Sequence, residues 1–270
     1  MPLLALLTRE TGMSRAVESA LPPGRDTVVS TASWAGLERL LVGRPVTGLL
    51  LDVSALSRSA LAQGDPLRPL RRGFPNTWIV LLAGASCDPP ALFDLGRSGA
   101  RHLVLRSQEG WEGDLVRALS LAREDGAAAL VTRAMAPYLP VRALGVLRTA
   151  LDSVDRRPTA ESFAMEVGLC RPFLSECLKE VGLPSAGHLL LWARLLQAGH
   201  WLEEPARSAE SVSRQLEYSS GAAFRRALKL YTGATPTQVI ASGGLAFVLR
   251  AFLRHCFLRG RDLPPVEAVA

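Results

Sequence analysis

The clearest candidates for chemistry are cations on one stretch of chain, Ser220-Gly-Ala222-Ala-Phe224-Arg225-Arg226-Ala227-Leu228-Lys229-Leu-Tyr231. At helical spacing Phe224, Ala227, Leu228 and Tyr231 share one face, so Arg225, Arg226 and Lys229 face outward with Ser220 and Ala222. Guanidinium and ammonium groups in that array suit the phosphates and base edges of a nucleic acid; the plainer alternative is a solvated helix face. A second candidate is the carboxylate of Asp52, which closes the apolar run Gly48-Leu-Leu-Leu-Asp52. Open α/β sheets place ligands at such strand ends.

Other chemistries find no support. The four cysteines (Cys87, Cys170, Cys177, Cys256) form no Cys-x-x-Cys pair, and His102, His188, His200 and His255 have no ligand spacing. His255-Cys256 reads as a buried pair on a helix. The expectation is a reduced, metal-free, cytoplasmic protein without a cofactor. No Gly-x-Gly-x-x-Gly follows the first strand, and neither a Gly-x-x-x-x-Gly-Lys-Ser/Thr loop nor a Gly-x-Ser-x-Gly elbow occurs, so no enzyme is expected.

Two hundred and seventy residues suggest two domains. The net charge is +6, from 31 basic and 25 acidic side chains. Residues 1–127 carry 14 basic and 13 acidic groups and residues 128–270 carry 17 and 12, so the excess lies in the second half. All cations but Lys179 and Lys229 are arginine, a bias that GC-rich coding explains as well as phosphate binding does. The short apolar start, Met1–Leu7, reads as a buried strand and not a signal peptide. The apolar segment Leu245–Leu258 is broken by Arg250, Arg254 and His255, which argues against a membrane span.

The elements that must position these groups follow from pattern. Residues 1–127 alternate apolar runs (Leu3–Leu7, Val28–Ser30, Val46–Val53, Thr77–Ala83, His102–Leu105) with helical stretches. The helical stretches are Met13–Leu21, Ser33–Leu41, Pro66–Arg71, Pro89–Ser98 and Gly113–Glu124. That alternation predicts a doubly wound α/β domain, receiver- or flavodoxin-like.

It resembles the receiver domain of bacterial response regulators over about 120 residues, on Gly48–Val53, Trp78–Gly84 and Ser98–Arg106. The resemblance makes Asp52 the phosphoacceptor. The rest of the family's pocket is changed. Its metal-binding acid pair falls on Thr8 and Arg9, with Glu10 one place late; its Ser/Thr falls on Ala83 and its Lys on Arg106. Phosphoryl transfer needs a cation on the transferring oxygens, and Mg²⁺ here needs more than one carboxylate. Arg9 is expected to neutralise Asp52, giving a pseudo-receiver used for dimerisation or partner sensing.

A linker is expected at 128–140, with Pro137 and Pro140, then a helix over Val141–Val154. Thr159-Ala-Glu-Ser162 recurs as Ser208-Ala-Glu-Ser211, each a Ser/Thr cap with an acid in the first turn. A short helix, a turn and a longer helix follow each copy. In the first, the turn is Cys170-Arg171-Pro172, and Phe173, Leu174, Cys177, Leu178 and Val181 form the buried face. Its outward residues are Arg171, Pro172, Ser175, Glu176, Lys179 and Glu180. A helix over Ser185–Glu203 joins the copies, so an all-α tandem helix-turn-helix is predicted.

This arrangement resembles the DNA-binding domain of AraC/XylS-family transcriptional regulators over about 141–242. The carrying motifs are Trp192-Ala-Arg194-Leu-Leu-Gln-Ala198-Gly-His-Trp-Leu202 and Tyr218-Ser-Ser-Gly-Ala-Ala-Phe224 through Gly233-Ala-Thr-Pro236. The resemblance implies a cytoplasmic regulator whose partner is double-stranded DNA, with Arg226 reading a base edge and Arg225, Lys229 and Ser220 holding phosphates. Ala222 and, in the first copy, Arg171, Pro172, Ser175, Glu176 and Lys179 complete the expected DNA face. Three departures stand out. Glu176 could accept from a cytosine amino group but repels the backbone. The first recognition helix is one residue short. Glu217 replaces a turn glycine.

Two rival readings remain: a protein-interaction or sequestering factor with a decayed DNA surface, and a response regulator controlled through Asp52. Residues 243–270 add a helix, Gly244–Leu258, that packs on the second copy or forms a dimer contact, and a loose tail, Arg259–Ala270.

Overall fold

The computed structural model describes residues 3–24, 26–56, 67–85, 87–106 and 109–257. The chain divides into two compact units. Unit 1 is Met1–Gly126 with Glu204–Ala206, and unit 2 is Ala127–Glu203 with Arg207–Ala270.

Unit 1 is a doubly wound α/β fold. Strands β1 (Leu3–Leu7), β2 (Thr27–Thr31), β3 (Val46–Asp52), β4 (Trp78–Ala83) and β5 (His102–Leu105) form one parallel sheet in the order β2-β1-β3-β4-β5. That is the flavodoxin-like order, with its topological switch between β1 and β3. Between the strands run α1 (Met13–Ala20), α2 (Trp34–Gly43), α3 (Arg68–Gly73) and α4 (Pro89–Arg97), and α5 (Trp111–Ala122) follows β5. The expected helix at Pro66–Arg71 begins at Arg68; Pro66 lies outside the described residues.

Strand periodicity sorts the side chains onto two faces. Leu3, Ala5, Leu7, Leu49, Leu51, Ile79 and Leu81 pack with Leu37 and Leu41 of α2, Leu70 of α3 and Leu95 of α4. Leu4, Leu6, Leu50, Val80 and Leu82 pack with Met13 and Val17 of α1 and Leu115 and Leu119 of α5. Both faces are covered, which is why β1 and β4 read as unbroken apolar runs. Gly48 is needed on β3: a Cβ there would lie 2.1 Å from the Trp78 ring.

Unit 2 is all-α: α6 (Ala127–Met135), α7 (Val141–Asp152), α8 (Ala160–Glu166), α9 (Arg171–Glu180), α10 (Ala186–Leu202), α11 (Ala209–Gln215), α12 (Gly221–Thr232), α13 (Pro236–Ala241) and α14 (Gly244–Phe257). The segment expected as a linker, 128–140, is largely helix α6. Ala127, Val131 and Met135 fall at i, i+4 and i+8 and join the helical core, so burial overrides the linker-like composition. Pro137 comes only after its end.

The connecting helix α10 is the hub, burying Leu189, Trp192, Leu195, Leu196 and Trp201. Its Trp192 meets Tyr231 edge-on at 5.3 Å and Phe252 at 5.3 Å. Helix α14 buries Leu245, Val248, Leu249 and Phe252 and packs along α10 as well as on α12. Its expected buried His255-Cys256 pair is only half realised. His255 is exposed with its ring 5.4 Å from Trp192, while burial pushes the Cys256 thiol up to about 12. The expected tail, Arg259–Ala270, lies outside the described residues. Among the described residues no helix is long and apolar enough to cross a membrane.

Candidate nucleic-acid interface

The second helix pair of unit 2, α11 and α12, presents the cations. Ser208 caps α11, its Oγ accepting from Ser211 N at 3.1 Å, and Val212 is buried. The chain then turns through Leu216-Glu217-Tyr218, with Glu217 in left-handed backbone at φ 50°. Tyr218 seats the turn: its ring lies 5.3 Å from Phe224, and the Arg194 guanidinium lies over it, 4.2 Å from its centre. Arg194 Nη2 also donates to the Leu216 carbonyl at 2.7 Å, so α10 holds the turn that aims α12.

Ser220 caps α12, its Oγ accepting from Ala223 N at 3.1 Å. This hydroxyl therefore has a structural task beside the phosphate contact expected of it. Phe224 and Leu228 are fully buried, Ala227 and Tyr231 half-buried. Ala222, Arg225, Arg226 and Lys229 are exposed together, with Leu230 beside them. Arg225 lies 3.7 Å from the Glu210 carboxylate. A pair this exposed adds little to stability.

The first pair, α8 and α9, repeats the design. Thr159 Oγ1 accepts from Ser162 N at 3.1 Å, and Gly168 turns the chain at φ 72°, the position matching Glu217. The second turn then has one more residue, so Leu174 and Leu178 of α9 match Phe224 and Leu228 of α12. On that alignment Ser175, Glu176 and Lys179 match Arg225, Arg226 and Lys229. Arg171, Pro172, Ser175, Glu176, Lys179 and Glu180 are all exposed, as their spacing predicts. Two details differ from the expectation. Arg171 and Pro172 form the first turn of α9 instead of a preceding loop, because proline suits the first helical positions. Phe173 is not buried; it lies 43% exposed with the Arg142 guanidinium 5.6 Å from its ring centre.

Sequence reasoning missed one contact between the two copies. Arg157, also at positive φ (47°), places Nη1 3.2 Å from Glu217 Oε2. No periodicity marks it; the departure at Glu217 is the only hint. Nearby, burial pushes the Asp155 carboxyl up to about 6.

In unit 1, Asp52 is fully buried at the switch point between β1 and β3. Thr8 Oγ1 donates to Oδ2 at 2.8 Å, while Ser54 N and Oγ donate to Oδ1 at 3.0 and 2.7 Å. The neutralising cation is Arg106 and not Arg9. Arg106 Nη2 lies 3.7 Å from Asp52 Oδ1 and Nη1 donates to Glu10 Oε2 at 2.8 Å, whereas Arg9 is exposed. Arg106 directly follows β5, which brings it level with the ends of β3 and β4, while Arg9 points to solvent beyond β1. Among the described residues no three His, Cys, Asp or Glu side chains cluster as metal ligands do.

No protein-family model matches the sequence, and no curated protein matches it. Solved structures similar to parts of the chain include a pilus assembly-related protein from Burkholderia pseudomallei. It is 22% identical over 47% of this chain and 92% of that one, at a TM-score of 0.38. Full-length FixJ from B. japonicum is 13% identical over 70% of this chain and 94% of that one, at 0.34. The xylose-binding transcription activator XylR is 14% identical over 90% of this chain and 70% of that one, at 0.36. With overlaps this loose, the fold rests on the strand order and helix arrangement described above.

Proposed function

We propose that this chain is a sequence-specific regulator of transcription that binds double-stranded DNA through unit 2, in the manner of the AraC/XylS family. The observation that carries the reading is the exposed row Arg225, Arg226 and Lys229 on α12, backed by fully buried Phe224 and Leu228. A capped helix with an apolar back and a cationic front fits a major groove. Arg226 is assigned to a guanine edge, with Arg225, Lys229 and Ser220 on flanking phosphates. Helix α9 has weaker means, because Glu176 stands where α12 has Arg226. It is assigned a supporting contact through Arg171, Pro172, Ser175 and Lys179.

Unit 1 is assigned a dimerisation or partner-sensing role as a pseudo-receiver. The bonding of Asp52 to Thr8, Ser54 and Arg106 supports this, since both carboxylate oxygens are already engaged. No catalysis is assigned, and the reading implies a cytoplasmic protein. Capture of genomic fragments by the purified chain at physiological salt tests it. Enrichment of a common sequence motif is expected, and recovery of no fragment above background contradicts it.

Exposed Glu176 and Glu180 favour a second reading, an interaction or sequestering factor whose DNA surface has decayed. The two differ in salt response: binding through several phosphates weakens steeply as ionic strength rises.

A further inference from the structure

Within unit 2 a cavity of about 440 Å³ lies among α7, the segment leading into α8, and α10. Ala150, Val154, Leu190 and Leu191 give it an apolar lining, and Arg157 and Arg194 line it with charge. Small-molecule sites combine such a lining with a few convergent polar groups, and the volume falls in their usual range.

Of the two guanidiniums, that of Arg194 is under-compensated. Arg194 donates Nη2 to the Leu216 carbonyl and stacks on Tyr218, but its buried Nε has no hydrogen-bond partner. Among the described residues no carboxylate forms an ion pair with it, and burial pulls its pKa down. Arg157 has one acidic partner, Glu217, at 3.2 Å, and both side chains of that pair are well exposed to water. A cation withdrawn from water with an unused donor is costly until an anion meets it, and the planar fork of arginine suits a carboxylate.

We propose that this cavity binds a small amphiphilic carboxylate. An aromatic ring or short alkyl body lies on Val154, Leu190 and Leu191, and the carboxylate takes the guanidiniums of Arg157 and Arg194. In doing so it competes with Glu217 for Arg157. The site stands independently of the DNA-binding reading, although Glu217 belongs to the turn that precedes α12.

Calorimetric titration of the full chain with 2-naphthoate, and with the uncharged 2-naphthamide of the same shape, tests the proposal. Saturable binding of the naphthoate is expected, with the amide about tenfold weaker or worse because it lacks the charge-assisted bonds. Arg157→Gln weakens the naphthoate by a similar factor. Leu190→Trp fills the cavity while leaving both cations in the sequence and removes binding, with Leu191→Trp as the substitute where that variant fails to fold. Glu217→Gln removes the competitor and tightens binding roughly threefold, the scale of an exposed ion pair. No saturable binding of the naphthoate, equal affinity for the amide, or unchanged affinity in the cavity-filling variants would overturn the proposal. The amide comparison needs only the unaltered protein, so it decides the matter whatever the variants' folding.

Discussion

Glu217 occupies in the second helix pair the position that Gly168 occupies in the first, and both backbones are left-handed, at φ 50° and 72°. A glycine adopts that conformation freely; a glutamate is strained by its Cβ. Its recompense is the 3.2 Å ion pair with Arg157, which ties the loop ahead of α8 to the turn ahead of α12.

Replacing Glu217 by glycine therefore relieves the strain and gives up a weak exposed pair. The relief exceeds the loss, and Glu217→Gly is expected to stabilise unit 2 by about 0.5–1 kcal/mol. Urea unfolding followed by circular dichroism measures it. A clear loss of stability would mean that the Arg157 pair outweighs the backbone strain.

Asp52, itself fully buried, is held by two side-chain hydroxyls, one backbone N–H and one guanidinium. Asp52→Ala leaves Thr8 and Ser54 without this acceptor and Arg106 with Glu10 as its one carboxylate partner among the described residues. The expected loss is about 2–4 kcal/mol in the unfolding of unit 1. Incubation with acetyl phosphate and Mg²⁺ is expected to leave the intact protein at its unmodified mass. An added phosphoryl group that disappears in Asp52→Ala would revive control by phosphorylation.

The carboxyl of Asp155 is raised to about 6 by burial, against 3.8 for the unperturbed group. The folded state thus holds this proton more tightly than the unfolded chain. The resulting stabilisation is fully present below about pH 4 and is lost as pH rises through about 6. It amounts to at most about 3 kcal/mol. The stability difference between the protein and Asp155→Asn is expected to shift in favour of the variant across that interval and to be flat above pH 7. A difference that is constant from pH 4 to 7 would show that Asp155 titrates normally.

The sheet was legible because its central strands are apolar on both faces, and the helix pairs because Thr159 and Ser208 cap them at a repeat of 49 residues. The outward row on α12 followed from the apolar face of Phe224, Ala227, Leu228 and Tyr231. Three things were not legible, each for a physical reason. Helix α6 hides in a stretch whose prolines suggest a linker, and only its burial of Val131 and Met135 reveals it. The partner of Asp52 depends on the alignment of strand ends, which favours Arg106 after β5 over Arg9 after β1. The Arg157–Glu217 pair spans 60 residues, and no local pattern encodes it.

The central claim, base reading by α12, is tested most directly by fluorescence anisotropy of the protein and Arg226→Ala on a captured DNA fragment and on scrambled DNA. The account predicts that Arg226→Ala costs about 1–3 kcal/mol on the captured sequence and little on scrambled DNA, so that sequence preference narrows. Lys229→Gln, measured alongside, is expected to weaken both DNAs alike and to lower the salt slope by about 1. Unchanged affinity and unchanged preference in Arg226→Ala would contradict it.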